Sequence, residues 1–248
     1  MAWLIERRCE HIALVTMTTN KANAQNPTFF ADLHRAFDRL ESEFRDCAVV
    51  LTGTGRVFSA GLDFDYHFPL FARRSLAEVD AWFDAYRATN LRIFTYPRPT
   101  VAAINGHAYA GGLITALDCD LRIAADAASQ FALNEVPIGI PMPAVYVEII
   151  KYALGSPAAA EMTLFGQVYD LADAHRLGIV NHIVPAERLI DEAVVWAGRV
   201  EPGCHPAYGY SKRALQASTL RAIGRSPHRH GRGGLMAHRC RALGRSAG

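Results

Sequence analysis

Three short stretches of this 248-residue chain combine residue types and spacings suited to chemistry. Two are glycine-containing junctions, Phe58-Ser59-Ala60-Gly61-Leu62-Asp63-Phe64 and Asn105-Gly106-His107-Ala108-Tyr109-Ala110-Gly111-Gly112. Small residues let a ligand come up to the backbone, and a helix opening near Gly111 aims unpaired amide hydrogens at whatever sits there. Two such amides converging on one carbonyl oxygen would make an oxyanion hole, yet either junction alone is better explained as a turn after a strand. The third stretch is Leu133-Asn134-Glu135-Val136-Pro137-Ile138-Gly139-Ile140. A carboxylate held among such apolar neighbours is desolvated, its pKa rises, and it comes to match a weakly acidic carbon–hydrogen bond. Taken alone, it reads as a strand-end Glu facing water.

The elements that must position these residues alternate between strand and helix. Apolar β-branched runs predict strands at 12–17, 48–52 and 100–104. Spacings of three and four predict helices over 28–44, through Phe30, Leu33, Phe37 and Leu40, and over 76–94, through Val79, Phe83, Tyr86 and Leu91. A short helix over 111–119 follows the second junction, then strands at 121–125 and 130–133. Helices over 143–153, 157–165 and 171–177, a strand at 179–184 and a helix over 186–200 complete the pattern. This alternation favours an α/β fold, and no internal sequence repeat is visible.

In this order and spacing the three stretches resemble the crotonase superfamily of enoyl-CoA hydratases and isomerases, over about Ile5 to Arg199. Lys21-Ala22-Asn23-Ala24, Cys119-Asp120-Leu121-Arg122-Ile123-Ala124 and Leu177-Gly178-Ile179-Val180 add to the resemblance. It implies a crotonase-like spiral of ββα units over 1–195 and a C-terminal helical region over 196–248, assembled as a homotrimer or hexamer. It also implies an acyl-CoA thioester substrate and no cofactor beyond the coenzyme A the substrate carries. Carried over residue by residue, the amides of Leu62 and Gly111 form the oxyanion hole, Glu135 is the acid/base, and Lys21, Ala60, Asp63 and Gly112 lie at the substrate. No metal is implied.

One departure narrows the reaction. Hydratases of the superfamily use two glutamates, and Ile114 stands where the first would be on the glycine helix. The sequence is therefore similar to the Δ3,Δ2-enoyl-CoA isomerase branch, in which a single carboxylate moves a proton from C2 to C4. Hydration or thioester hydrolysis with a base from elsewhere is the alternative. Tyr66, His67 and Tyr109 are further candidates to reach the site, whereas Asp118 and Asp120 read as helix-end or turn residues.

Composition excludes several classes. Half of the residues are hydrophobic, enough for one large domain without disulfides or metal. Five scattered cysteines, Cys9, Cys47, Cys119, Cys204 and Cys240, form no Cys-x-x-Cys pair and suit a reducing, cytoplasmic setting. The N-terminus reads as no signal peptide, and the apolar run around 100–117 is broken by Asn105, Gly106 and His107, so no membrane span is expected. Residues 1–201 carry 17 basic and 24 acidic groups, a net of −7, while the remainder has one Lys, eight Arg and no acid. A scaffold whose basic tail binds RNA would follow from that asymmetry, but no nucleic-acid motif accompanies the charge and Glu135 is retained. His228, His230, His238 and Cys240 fit no zinc spacing, and little regular structure is expected after Ile223.

Overall fold

The computed structural model of the chain describes residues 3–73 and 75–225. Strand β1 (Leu4–Arg7) turns back on β2 (Ile12–Thr16), and helix α1 (Pro27–Ser42) leads to β3 (Ala48–Thr52) and β4 (Val57–Ser59). Helices α2 (Phe64–Arg73) and α3 (Leu76–Phe94) precede β5 (Thr100–Ile104), β6 (His107–Tyr109) and α4 (Gly111–Leu117). Then come β7 (Leu121–Ala125), β8 (Phe131–Ala132), α5 (Ala144–Phe165), β9 (Val168–Tyr169) and α6 (Leu171–Arg176). Strand β10 (His182–Val184), α7 (Leu189–Ala197) and α8 (His205–Arg225) end the described chain.

Six strands make one sheet in the order β1-β2-β3-β5-β7-β10, parallel except for β1, and β4-β6-β8-β9 make a second, parallel except for β9. Each of the pairs β3/β4, β5/β6 and β7/β8 gives one strand to each sheet and is followed by a helix. The result is the expected spiral of ββα units. Both faces of the large sheet are buried, as parallel sheets require: Ala13, Val15, Val49 and Leu51 face the main core, while Ile12, Leu14, Val50 and Val101 pack under Leu189 and Ala193 of α7.

Helix α1 starts where the sequence tells it to, with Asn26 capping the amides of Thr28 and Phe29 and Pro27 opening the first turn. The two helices expected over 143–153 and 157–165 are both present, as the two segments of α5 that meet at Gly155, whose φ of 77° and ψ of 164° are not helical. Other expectations need correction. Ile179 and Val180 are buried, but they lie in a turn after α6, where Gly178 takes a φ of +76°, so β10 begins only at His182. Helix α2 falls where the sequence reading placed no element, because an internal Pro69 and aromatic residues on several sides hide its period. The helix expected over 186–200 opens with a 3-10 turn before α7. The tail after Arg225, with His228, His230, His238 and Cys240, lies outside the described residues. Among the described residues no helix is long and apolar enough to cross a membrane.

Helix α8 buries a polar stripe, His205, Gly209, Lys212, Gln216 and Thr219, with Ile223 at its end. Lys212 Nζ, nearly inaccessible, sits 2.7 Å from Asp120 Oδ1, and Gln216 donates to the Phe94 carbonyl at 2.7 Å. Asp120 also accepts from the amide and hydroxyl of Thr100. Breaking a buried pair leaves a charge without its partner, so Lys212→Met is expected to lower the unfolding free energy by about 3 kcal/mol, read from urea denaturation.

Candidate active site

The two glycine junctions meet. Gly61 has a φ of +78°, and a Cβ placed on it would lie 2.7 Å from the Tyr109 carbonyl oxygen and 2.9 Å from the Gly111 nitrogen. Only a residue without a side chain allows the loops this close. Leu62 is bridged in parallel fashion to Gln25: the Gln25 amide donates to Gly61 O at 2.7 Å and the Asp63 amide donates to Gln25 O at 3.0 Å. In such a bridge the spanned residue turns its own N–H and C=O to the opposite side. Gly111 opens α4 after Ala110, whose φ of 48° and ψ of −129° are unusual for a residue with a side chain. Among the described residues no acceptor is bonded to the Leu62 or Gly111 amide.

Both residues line a narrow cleft, together with Ala110 and Glu135. Its walls are Phe64, Phe83, Ile140 and Pro143, with Tyr86 and Tyr146 as the other polar side chains. A neighbouring depression shares Phe83, Tyr86 and Pro143 and extends the opening toward Asp80, Asp84 and Arg87.

Glu135 follows β8 at the head of a tight turn. The Gly139 amide donates to Val136 O and the Ile140 amide to Glu135 O, with Gly139 at a φ of +79°, the nested pattern that ends many helices. The residue is 7% exposed and its Oε2 has no hydrogen-bond partner among the described residues. Desolvation pushes its carboxyl up to about 7, opposed only by its own backbone amide. A carboxyl in that range exchanges a proton readily at neutral pH. The cleft thus places one proton-exchanging carboxyl beside two open amides, the parts needed to ionise a carbon next to a carbonyl and hold the resulting oxyanion.

The remaining candidates separate. Lys21 and Ala60 are exposed beside one another, linked by the Ala60 amide donating to Ala22 O at 3.0 Å. Asp63 caps α2, accepting from the Tyr66 amide at 3.3 Å and from Asn26 Nδ2 at 3.3 Å. Gly112 faces away from the cleft, where a Cβ would lie 2.7 Å from that of Ser59. Tyr66, His67 and Tyr109 do not line the cleft. His67 is fully buried against Trp82 and Phe71, donates from Nδ1 to Asp63 O at 2.9 Å, and has its pKa lowered by desolvation. Ile114 is wholly buried in the main core. Asp118, also buried, has its carboxyl driven well above the ordinary range by desolvation, but it too lies outside the cleft lining. Sequence reading missed Gln25, one amide among the several polar residues of 20–28, and Tyr146, one aromatic in an apolar helix, since neither has a pattern of its own.

Known proteins resemble this chain over most of its length. A family model described as enoyl-CoA hydratase/isomerase matches residues 7–225. A putative enoyl-CoA hydratase of Thermus thermophilus is 35% identical over 213 residues, covering 84% of this chain and 81% of that protein. Among solved structures, one Mycobacterium tuberculosis protein is described as an enoyl-CoA isomerase in one structure, with a TM-score of 0.77 at 30% identity covering 90% of this chain and 94% of that one, and as a probable enoyl-CoA hydratase in another, with a TM-score of 0.80 at 27% identity covering 100% of both. The human mitochondrial Δ3-Δ2-enoyl-CoA isomerase has a TM-score of 0.81 at 25% identity, covering 100% and 93%.

Proposed function

Because the chain belongs to the enoyl-CoA hydratase/isomerase family, we propose that it isomerises 3-enoyl-CoA thioesters to 2-enoyl-CoA with Glu135 as its single acid/base. Glu135 removes a proton from C2, and the electron pair moves onto the thioester oxygen to give a dienolate. The Leu62 and Gly111 amides hold that oxygen, each donor being worth roughly 3–4 kcal/mol in the transition state. The protonated Glu135 then delivers the proton to C4, the double bond settles between C2 and C3, and the carboxylate is regenerated.

The observation that carries this reading is that Glu135 is the single carboxyl among the described residues lining the cleft, with an isoleucine at 114. Hydration requires a group to hold and activate water, and the apolar walls around Glu135 disfavour water instead. The same walls keep the carboxyl near neutrality, which suits a group that must act as base and then as acid. The reading includes a coenzyme A moiety lying toward Lys21 and Ala60 at the exposed rim, a cytoplasmic setting, and assembly as a homotrimer or hexamer. Exposed Leu164, Phe165 and Val168 offer apolar surface for such a contact.

The hydratase reading has in its favour the names of most of the relatives, the Thermus thermophilus protein among them. Offering a 3-enoyl-CoA and a 2-enoyl-CoA separately decides between the two. Migration of the double bond with little water addition is the expected result, and rapid hydration of the 2-enoyl ester would reverse the assignment.

A further inference from the structure

Gln25 is almost fully buried and touches both junctions at once. Its backbone is bonded on either side of Leu62, to Gly61 O and from the Asp63 amide. Its side chain reaches the other loop, where Nε2 donates to Gly111 O at 3.1 Å and to Thr115 Oγ1 at 2.9 Å. The Thr115 hydroxyl itself donates to Gly111 O at 3.0 Å. A carbonyl can only accept, so the amide nitrogen of Gln25 must face Gly111 and its oxygen must point away. That oxygen accepts from the Tyr86 hydroxyl at 2.5 Å, and Tyr86 in turn accepts from Tyr146. Every polar atom of the Gln25 side chain is therefore used, in one orientation.

We propose that Gln25 is a positioning residue that holds the Leu62 and Gly111 amides in register, its backbone fixing one loop and its side chain the other. Glycine is the residue least able to hold its own backbone in place, and Gly111 stands between the strained Ala110 and the first turn of α4. The bond to Gly111 O restrains the peptide that follows it, and Tyr86 and Tyr146 lock the Gln25 amide against rotation. Packing closes the arrangement, since a Cβ on Gly111 would collide with the Tyr86 hydroxyl and Gln25 Oε1 and lie 3.0 Å from the Tyr146 hydroxyl. The inference rests on the assignment of the two amides as the oxyanion hole.

The test uses Gln25→Met, which keeps the length and the backbone bridge but removes all three side-chain bonds, and acetoacetyl-CoA as probe. The enolate of this β-ketothioester absorbs in the near ultraviolet, so the pH at which the bound ester ionises reports directly on the hole. Gln25→Met is expected to lower kcat for isomerisation about 100-fold, the scale of a small misplacement, with little change in KM, and to raise the ionisation pH of bound acetoacetyl-CoA. Tyr86→Phe, which frees the amide to rotate, is expected to do the same to a lesser extent. A role limited to packing would lower Tm and leave the ionisation of the folded protein's ligand unchanged, and that result would overturn the proposal. Should Gln25→Met not fold, unchanged ionisation in Tyr86→Phe overturns it equally. If the wild-type protein does not shift the ionisation at all, the hole itself is misassigned and the inference goes with it. A shifted wild type with an unshifted variant removes Gln25 alone.

Discussion

Glu135→Gln is expected to abolish double-bond migration and, above neutral pH, to make the protein harder to unfold. The amide has the shape of the carboxyl but cannot take a proton from carbon, so turnover should fall at least about 1,000-fold, toward the upper range for a positioned acid/base. Binding of the CoA ester should be nearly unchanged. The stability gain follows from the raised pKa. Desolvation lifts the Glu135 carboxyl from an ordinary 4.5 to about 7 in the folded protein, so the neutral form favours the fold. That contribution is fully present below about pH 4.5 and is lost as pH rises through about 7. At about 1.4 kcal/mol per pH unit the loss is of order 3 kcal/mol. The Gln variant has no charge to bury, although its amide hydrogens lack evident partners and offset part of the gain. A net increase of about 1–2 kcal/mol at pH 8, shrinking toward zero or below at pH 4.5, is the expected outcome of urea denaturation. In the wild type, kcat/KM should rise with pH through about 7. Wild-type turnover in the variant would remove Glu135 from the mechanism.

Gly61→Ala should damage fold and site together. The new methyl would occupy a φ of +78° and press on the Tyr109 carbonyl, the Ala110 methyl and the Gly111 nitrogen. Left-handed strain costs about 1–2 kcal/mol and overpacking about 1–3 kcal/mol, so a loss of about 2–5 kcal/mol in unfolding free energy is expected. Relief by separating the loops would pull the two amides apart and lower kcat/KM by about 100-fold. Gly178 provides the comparison: its φ is similar, +76°, but a Cβ there meets nothing within 4 Å. Gly178→Ala should therefore show the backbone strain alone, with activity intact. Equal stability losses at the two positions would show that the loop contact at Gly61 contributes nothing.

Much of the framework was legible in the residues. Strands β2, β3, β5 and β7 announce themselves through short apolar runs, and α1 through the spacing of Phe30, Leu33, Phe37 and Leu40, because those signals are local. Helix α8 was legible only through the family resemblance, which implied a helical C-terminal region, since the face it buries is polar and acquires its partners, Asp120 and the Phe94 carbonyl, from distant segments. The short strands β4 and β6 have too few residues to show a period.

For the site, the family resemblance carried by the two glycine junctions and Glu135, with Ile114 as its departure, already implied a single carboxyl acting beside a thioester carbonyl. Those are statements about which groups exist. Whether Glu135 is desolvated, whether Gly61 lets two loops touch, and whether Gln25 spans both were decided only by the tertiary structure. Each depends on segments tens of residues apart arriving at one cleft, and a side chain's pKa and partners are set by that surrounding space rather than by its neighbours in sequence. His67 makes the same point from the other side: its type and position suited a proton carrier, and packing against Trp82 and Phe71 turned it into core.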